Sequence, residues 1–419
     1  MTACGLDFGT SNSAIGISRG GTVALAPVEG DATLIPSAVF YDYEHRGRIQ
    51  FGSAAIDAYI GQTEGRLMRA LKTILGSPLI DEKTILAGKA VALTEVIETF
   101  VRHLKTQAEH FAGQEISSVV HGRPVRFVDG DDAADAKAQD TLERIARKVG
   151  FREISFVYEP IAAAYHYEET ATREELVLVA DIGGGTSDFS VIRIGPNRRT
   201  LPDRAADILA NGGARIGGTD FDARLNLAAV MPLLGLGTHL IEKNLPMPTG
   251  VYFDLATWAT INFTYTFKME RDIRELLAQS QEPEKIARLQ KTIHQRLGHR
   301  IAFAIEDAKI ALSIAEQTKL PLAFIEPGLH GEPTRADFEN VIREKTTRLH
   351  TIARECIADA GVRPEAIQTI FFTGGSARVP AVRHAIASAA PAATATEGAD
   401  FLSVAMGLTQ EAARRYGAS

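Results

Sequence analysis

The sequence is poor in cysteine, has no excess of positive charge and contains no uninterrupted hydrophobic run of membrane length. The two cysteines, Cys4 and Cys356, are interpreted as buried free thiols. A net charge of −7 argues against a nucleic-acid partner, because a phosphate backbone requires a basic surface. The most apolar long stretch, Leu225 to Ile241, contains one proline and two glycines, so it fails as a membrane span.

The first residues also lack the basic segment and apolar stretch of a signal peptide, and we expect a cytoplasmic protein without a membrane partner. No repeat of solenoid period is present. What is present is ordinary for a soluble globular protein: 45% hydrophobic and 23% charged residues. A length of 419 residues exceeds what one hydrophobic core organises, so at least two domains are expected.

Two glycine-rich segments, Gly5 to Ser13 and Asp181 to Phe189, are the most informative feature. Each combines a strand-like apolar run, an aspartate, a Gly/Thr/Ser turn and a second apolar strand. Glycines allow backbone N–H groups to approach phosphate oxygens, since no Cβ blocks them. An aspartate at a strand end can hold a hydrated cation, which phosphate chemistry usually requires. The pair predicts two duplicated lobes that grip one nucleotide.

Hydrophobic periodicity predicts alternating strands and helices, which is typical of an α/β protein. A helix is predicted from Ala54 to Leu75 and an amphipathic helix from Thr94 to Phe111. A final helix is predicted from Ser403 to Tyr416. We place one lobe at residues 1–172 and the other at 173–419, with a mostly helical insertion at about 223–300.

These motifs together resemble the nucleotide-binding domain of the seventy-kilodalton heat-shock chaperones (DnaK-type), within the actin and hexokinase superfamily. The resemblance covers nearly the whole chain, and its anchors are Gly5–Ser13, Asp181–Val191, Ile216–Asp222 and Thr373–Pro380. It implies a two-lobed actin-like ATPase fold, in which duplicated ribonuclease H-like subdomains flank a central nucleotide cleft. It also implies that ATP or ADP binds with Mg²⁺.

The resemblance assigns a catalytic role to Asp7, Lys72, Glu159, Asp181 and Thr186. The two aspartates would flank Mg²⁺ and hold it through water. Lys72 would stabilise charge on the transferring phosphoryl group, although a helical lysine taken alone is usually a solvated charge. Glu159 would hold the water shell and the attacking water, although it could instead cap a helix. The Thr186 hydroxyl would lie near the γ-phosphate.

The nucleotide-binding residues implied by the resemblance fall into a phosphate group and a nucleoside group. The phosphate group is Gly9, Thr10, Ser11, Asn12, Gly183, Gly184, Gly185, Gly217 and Gly218. The nucleoside group is Glu306, Lys309, Ser313, Gly374, Gly375, Ser376 and Arg378. The first three of these share one helix face, which could also be simply solvated. The guanidinium of Arg378 would stack on the purine.

The sequence also departs from the family pattern. From the resemblance we expect a protein without the leucine-rich linker and the peptide-binding domain that follow the ATPase domain in the family. The family's aspartate in the closing segment is replaced by Phe401, with Asp400 one position away. An acidic loop, residues 129–132, disturbs the segment that relays nucleotide state to the linker. We therefore expect an ATP-hydrolysing, chaperone-like protein with an unidentified protein partner or co-chaperone.

Three alternatives stay open. A small-molecule kinase of the same superfamily needs an aspartate to deprotonate the acceptor hydroxyl, and Asp181 and Asp188 are the candidates. A filament-forming actin relative is the structural alternative. A nucleotide-binding pseudoenzyme is disfavoured by the intact set of catalytic residues.

Overall fold

The fold is mixed α/β in the computed structural model, which describes residues 2–20, 22–45, 48–61, 63–86, 88–199, 201, 204–398 and 402–417. The strands are β1 (Ala3–Phe8), β2 (Asn12–Arg19), β3 (Thr22–Leu25), β4 (Ile35–Pro36), β5 (Ala38–Asp42), β6 (Ile49–Phe51), β7 (Gly65–Arg69), β8 (Lys83–Leu86), β9 (Lys89–Ala92), β10 (Ser118–Arg123), β11 (Glu153–Tyr158), β12 (Glu175–Ile182), β13 (Ser187–Ile194), β14 (Ile208–Ala214), β15 (Leu320–Pro321), β16 (His330–Gly331), β17 (Thr369–Thr373) and β18 (Thr394–Glu397).

Helices connect and cover these strands. The α-helices are α1 (Gly52–Ile60), α2 (Leu93–Ala112), α3 (Asp132–Lys148), α4 (Glu159–Glu168), α5 (Gly218–Ala229), α6 (Gly250–Ala256), α7 (Phe267–Gln279), α8 (Pro283–His294), α9 (Gly298–Leu312), α10 (Arg335–Asp359), α11 (Pro380–Ala387) and α12 (Ser403–Tyr416). The 3₁₀ helices are Leu71–Ile74, Pro78–Asp81, Ala205–Asp207, Met231–Leu234, Glu242–Asn244, Ile261–Thr264, Pro364–Ala366 and Gly375–Arg378.

Two sheets have the same strand order and the same strand directions. In the first, the order is β11-β10-β1-β2-β3, and in the second it is β18-β17-β12-β13-β14. Each central strand pairs antiparallel with the next strand of a meander and parallel with a strand from later in the chain. This shared topology is the duplication that the two glycine-rich hairpins predict. Each glycine turn joins the central strand to its antiparallel neighbour, at one end of its sheet.

The helices α4 and α12 pack on each other; α12 lies on strands of the first sheet, and α4 contacts strands of both sheets. The helix α12 approaches α4 and β1 so closely that a residue larger than glycine would clash at one position in each contact. A Cβ on Gly407 of α12 would lie 1.7 Å from the carbonyl oxygen of Ala162 in α4. One on Gly5 of β1 would lie 2.3 Å from the backbone nitrogen of Thr409. The buried core between these elements therefore depends on backbone contacts between the first strand and the last helix.

On its other face the first sheet is covered by α2 and α3, whose sequences explain their boundaries. The amphipathic face predicted for α2 is buried, and the helix ends at Gly113 in the left-handed conformation (φ 66°). The N-cap of α3 is Asp131, whose carboxylate accepts a hydrogen bond from the N–H of Ala134 at 3.0 Å. Part of the acidic loop is therefore a helix cap.

The chain divides into two compact units. The first comprises residues 1–217, 348–377 and 382–419 and contains both large sheets; the second comprises 218–347 and 378–381. In the second unit, Lys309 of α9 forms an ion pair with Asp222 of α5, with N–O distances of 2.8 and 3.0 Å. The lobe boundary near residue 172 falls between α4 and β12, and the assignment of two lobes to 1–172 and 173–419 stays a prediction.

One predicted helix is wrong in its second half. The segment from Ala54 to Leu75 begins as α1, but α1 ends at Ile60 and is followed by the strand β7. This strand pairs antiparallel with β5, from Ala38 opposite Arg69 to Asp42 opposite Gly65. The pairing is tertiary, so it overrides the helical periodicity of the segment. Of the helices in the described ranges, none has both the length and the apolar character that crossing a bilayer requires.

Candidate functional site

Both glycine turns line one cavity in the first unit. The lining residues are Asp7, Gly9, Thr10, Ser11, Asn12, Leu34, Lys72, Glu159, Asp181, Gly183, Gly184, Thr186, Thr373, Gly374, Gly375 and Val404. The two segments that the sequence places more than 160 residues apart therefore meet at the same cavity. All five residues expected to be catalytic are in the lining.

The turns pack against each other at van der Waals distance, and their glycines make this possible. A Cβ on Gly184 would lie 2.2 Å from the Ser11 hydroxyl oxygen, and one on Gly185 would lie 2.8 Å from that of Thr10. A Cβ on Gly217 would lie 2.5 Å from the backbone of Gly184. Gly185 and Gly217 do not line the cavity themselves, but they let the lining turn adopt its position.

The floor of the cavity carries buried carboxylates. Asp7 is near the end of β1, and Asp181 occupies the equivalent position on β12. Burial raises the pKa of both groups well above the usual range, and the neighbouring Glu159 carboxylate raises it further. Asp188 on β13 has its pKa raised to about 7 by burial and by Glu159. A raised pKa favours the protonated carboxyl, so a cation that enters this cavity would stabilise the ionised forms of Asp7 and Asp181.

Lys72 and Glu159 form a buried ion pair in the cavity, with Nζ of the lysine donating to Oε1 of the glutamate. Both residues are only 6% exposed. Burial alone would lower the pKa of the ammonium, but the attraction of Glu159 and Asp7 outweighs it and the pKa is raised. Lys72 is therefore a charged cation, and it is the only basic residue among the described residues that line the cavity.

Lys72 is carried by the 3₁₀ helix Leu71–Ile74, not by an α-helix. The preceding residue, Ala70, has left-handed backbone angles (φ 56°, ψ 32°), which a residue with a Cβ rarely adopts. Glu159 is the first residue of α4, and Pro160 is at the first turn of that helix. The N-cap of α4 is Tyr158, so Glu159 does not cap the helix and its carboxylate points to Lys72.

The donor set fits a hydrated magnesium ion. Asp7, Asp181 and Glu159 offer the hard oxygen ligands that Mg²⁺ prefers, and all three line the cavity. Within the part of the chain that the structure describes, no three His, Cys, Asp or Glu side chains converge to bind a metal ion directly. That Asp7 and Asp181 hold the metal through its water molecules stays a prediction.

The nucleoside group is divided between the two units. Gly374 and Gly375 line the cavity, and the Ser376 hydroxyl donates to the carbonyl oxygen of Gly183 at 3.0 Å. Glu306, Lys309, Ser313 and Arg378 belong to the second unit, as does Gly218 of the phosphate group. There the ammonium of Lys309 is paired with Asp222, and the Ser313 hydroxyl donates to the Lys309 carbonyl at 3.0 Å. Their contact with a nucleoside stays a prediction.

Sequence reasoning did not identify every lining residue. Leu34 and Val404 line the cavity, but an apolar residue next to a turn carries no signal of such a role. Phe401 and Asp400, where the sequence departs from the family pattern, lie outside the described residues.

His121, within β10, is a buried histidine that the sequence did not indicate. Its Nδ1 lies 2.6 Å from the carbonyl oxygen of Gly122, and its Nε2 is buried without a partner among the described residues. Its ring is tilted against that of Phe156 at a centroid distance of 5.5 Å. Burial, together with the nearby Lys72 charge, lowers the pKa of His121 to about 4. The ring is therefore neutral at physiological pH.

Acidification is expected to destabilise the protein through His121. The unfolded chain protonates this histidine near pH 6.5 and the folded protein only near pH 4. Between these values the unfolded state binds more protons, so the free energy of unfolding falls as the pH falls, by up to about 3 kcal/mol. His121→Asn preserves a donor for the Gly122 carbonyl but does not titrate. Urea unfolding at pH 7 and pH 4.5 is expected to show a smaller pH dependence of the free energy of unfolding for this variant than for the wild type.

The exposed His110→Asn serves as control and should keep the pH dependence of the wild type. If His121→Asn also keeps the full pH dependence of the wild type, the assignment to His121 is wrong.

A scan against protein-family models gives a match to the family described as Hsp70 protein, over residues 3–230 and 269–412. The matched residues include the two glycine turns, Lys72, Glu159 and the turn at Gly374. The match leaves out residues 231–268, which lie inside the predicted helical insertion. It confirms the resemblance and, with the paired sheets, the two-lobed actin-like ATPase fold. Proteins of that family are in general ATPases that bind ATP or ADP with Mg²⁺.

Proposed function

The chain belongs to the Hsp70 protein family, and from this premise we propose that it binds MgATP in the cavity between its glycine turns and hydrolyses it. The single observation that carries the proposal is the convergence of both turns with Lys72, Glu159, Asp7 and Asp181 on one cavity. Backbone N–H groups, one cation and several carboxylates are together what a magnesium triphosphate requires.

The phosphates would be held by the backbone and hydroxyl donors of residues 10–12 and by the N–H groups of residues 183–184. The Thr186 hydroxyl lies in the same lining and would complete this set. Because the glycines carry no side chain, the donors of the two turns can face the same anion without a steric barrier.

Lys72 and Glu159 would exchange partners when the nucleotide binds. The ammonium would leave Glu159 and bind an oxygen of the γ-phosphate, where its charge stabilises the transition state. Glu159 would then be free to orient the attacking water and to accept hydrogen bonds from the water shell of the metal. The metal would neutralise charge on the β- and γ-phosphate oxygens. Asp7 and Asp181 would hold that shell from the strand ends.

The same geometry favours hydrolysis over phosphorylation of a small molecule. Asp188 is one of the two aspartates that could serve a kinase, but it does not line the cavity, and its Oδ1 accepts a hydrogen bond from Val125 N–H at 2.6 Å. Asp181 does line the cavity, and in the proposal it serves the metal shell. Water is then the acceptor that the site best accommodates.

The output of the cycle would be nucleotide-dependent binding of a protein partner or co-chaperone, as expected for a chaperone-like protein in the cytoplasm. Affinity capture in the presence of ATP and of ADP tests this output. A partner retained in only one nucleotide state would support it, whereas identical capture in both states would contradict it.

Isothermal calorimetry with ATP and ADP, with and without Mg²⁺, tests the proposal directly, together with release of inorganic phosphate. We expect magnesium-dependent binding of both nucleotides and slow phosphate release. Asp7→Asn with Asp181→Asn should weaken the binding, while the exposed Asp57→Asn should not. Wild-type protein without affinity for adenine nucleotides would overturn the proposal. ATP-dependent phosphorylation of sugars would favour the kinase instead, and ATP-dependent pelleting would favour a filament.

A further inference from the structure

Arg215, which follows β14 of the second sheet, contacts the 3₁₀ helix that carries Lys72. It is exposed, and its Nη2 donates to the main-chain carbonyl of Thr73, the residue after Lys72. Its backbone N–H donates to both carboxylate oxygens of Asp129, at 3.0 and 3.1 Å. Arg215 is thus anchored by its backbone and contacts the lysine helix through its guanidinium.

The segment around Lys72 is poorly fixed by its own backbone. The 3₁₀ helix has four residues, and the left-handed Ala70 before it is a conformation that a residue with a Cβ avoids. Within the segment, the N–H and hydroxyl of Thr73 both donate to the carbonyl of Ala70, at 3.0 and 2.7 Å. Such a short helix needs contacts from elsewhere to hold a functional side chain in place.

Arg215 also lies two residues before Gly217, which packs against the second phosphate turn. A Cβ on Gly217 would lie 2.5 Å from the backbone of both Gly184 and Gly185. On the other side, a Cβ on Gly185 would lie 3.0 Å from the Thr73 methyl group. Residues 215–217 therefore pack against the second phosphate turn, and this turn packs against the 3₁₀ helix that carries Lys72.

We propose that Arg215 is a positioning residue for Lys72, which fixes the lysine helix relative to the second phosphate turn so that the ammonium reaches the γ-phosphate. This inference rests on the proposed ATPase function and adds to it a residue that does not touch the nucleotide. A guanidinium suits the role because its planar set of donors reaches a carbonyl at a fixed angle.

The test compares Arg215→Ala, Arg215→Lys and the exposed control Arg363→Ala. Misplacing a catalytic group by about 1 Å lowers the rate on the order of 100-fold. Loss of the Arg215 contact should displace Lys72 by less than that, so we expect the kcat of Arg215→Ala to fall roughly tenfold. MgADP has no γ-phosphate for Lys72 to contact, so its affinity for the variant should stay within about twofold of that for the wild type. Arg215→Lys should recover part of the rate, and Arg363→Ala should equal the wild type.

A double mutant separates positioning from a general structural role. In a Lys72→Met background, Arg215→Ala should lower the rate no further, because the residue that it positions is absent. Asp129→Asn, which weakens the backbone anchor, should lower kcat in the same direction. If the wild type hydrolyses ATP and Arg215→Ala matches its kcat, or lowers it equally in the Lys72→Met background, the inference is wrong. If the wild type neither binds nor hydrolyses ATP, the proposed function itself fails.

Discussion

Lys72→Met will lower the rate of ATP hydrolysis by at least about 100-fold, while MgADP still binds. Among the described residues of the cavity lining, the Lys72 ammonium is the one cation. Removing a preorganised charge from a transition state commonly lowers the rate by two to three orders of magnitude. Methionine keeps most of the volume of the side chain, so the packing of the 3₁₀ helix should survive. Single-turnover phosphate release at saturating MgATP measures the chemical step, and calorimetry with MgADP measures binding.

The matched control for this experiment is Lys137→Met. Lys137 is also paired with a carboxylate, that of Asp81 at 2.7 Å, but its side chain is 54% exposed. Exposed pairs of this kind contribute little, so the rate should stay near that of the wild type. A Lys72→Met protein with wild-type turnover would exclude the lysine from the reaction.

Removal of Mg²⁺ will weaken ATP binding on the order of 100-fold in the wild type, and less in Glu159→Gln. Without the metal, Lys72 must either remain with Glu159, away from the phosphate, or leave a buried carboxylate uncompensated beside Asp7 and Asp181. Both arrangements weaken the binding of the nucleotide. Glutamine removes one of these charges and releases the lysine, so the affinity depends less on the metal.

Calorimetric titration of ATP at a series of free Mg²⁺ concentrations measures this coupling. The variant Glu168→Gln is a useful comparison, because Glu168 is also buried and paired, with Arg204 at 2.7 Å, but does not line the cavity. Its metal dependence should equal that of the wild type. An equal metal dependence in Glu159→Gln would show that the Lys72 pair does not couple metal to nucleotide.

The elements that the sequence predicted well have signals that are local. The amphipathic period of α2 and the run of α12 from Ser403 to Tyr416 depend on neighbours within one helix. Glycines between two apolar strands marked both phosphate turns for the same reason. The strand β7 was missed because its partner β5 lies more than 20 residues away, and the pairing that stabilises it is not visible in the segment itself.

The candidate site shows the same division. Residue types and family resemblance pointed to Lys72 and Glu159, but not to their ion pair, since 87 residues separate them. The contact of Arg215 with Thr73 spans 142 residues and has no sequence pattern of its own. The lowered pKa of His121 depends on burial, which a lone histidine in a strand does not reveal. Contacts of this kind arise only from the fold.

The fit of α12 against β1 and α4 has a consequence for how the protein is made. The first strand leaves the ribosome some 400 residues before the helix whose backbone lies against Gly5. Until residues 403–416 have emerged, one face of that sheet lacks its cover, and apolar side chains such as Val120 and Ile161 stay accessible to water and to other nascent chains. Completion of this core therefore comes late in synthesis, after residues 403–416 have emerged, and slow translation would prolong the exposure of the unfinished sheet.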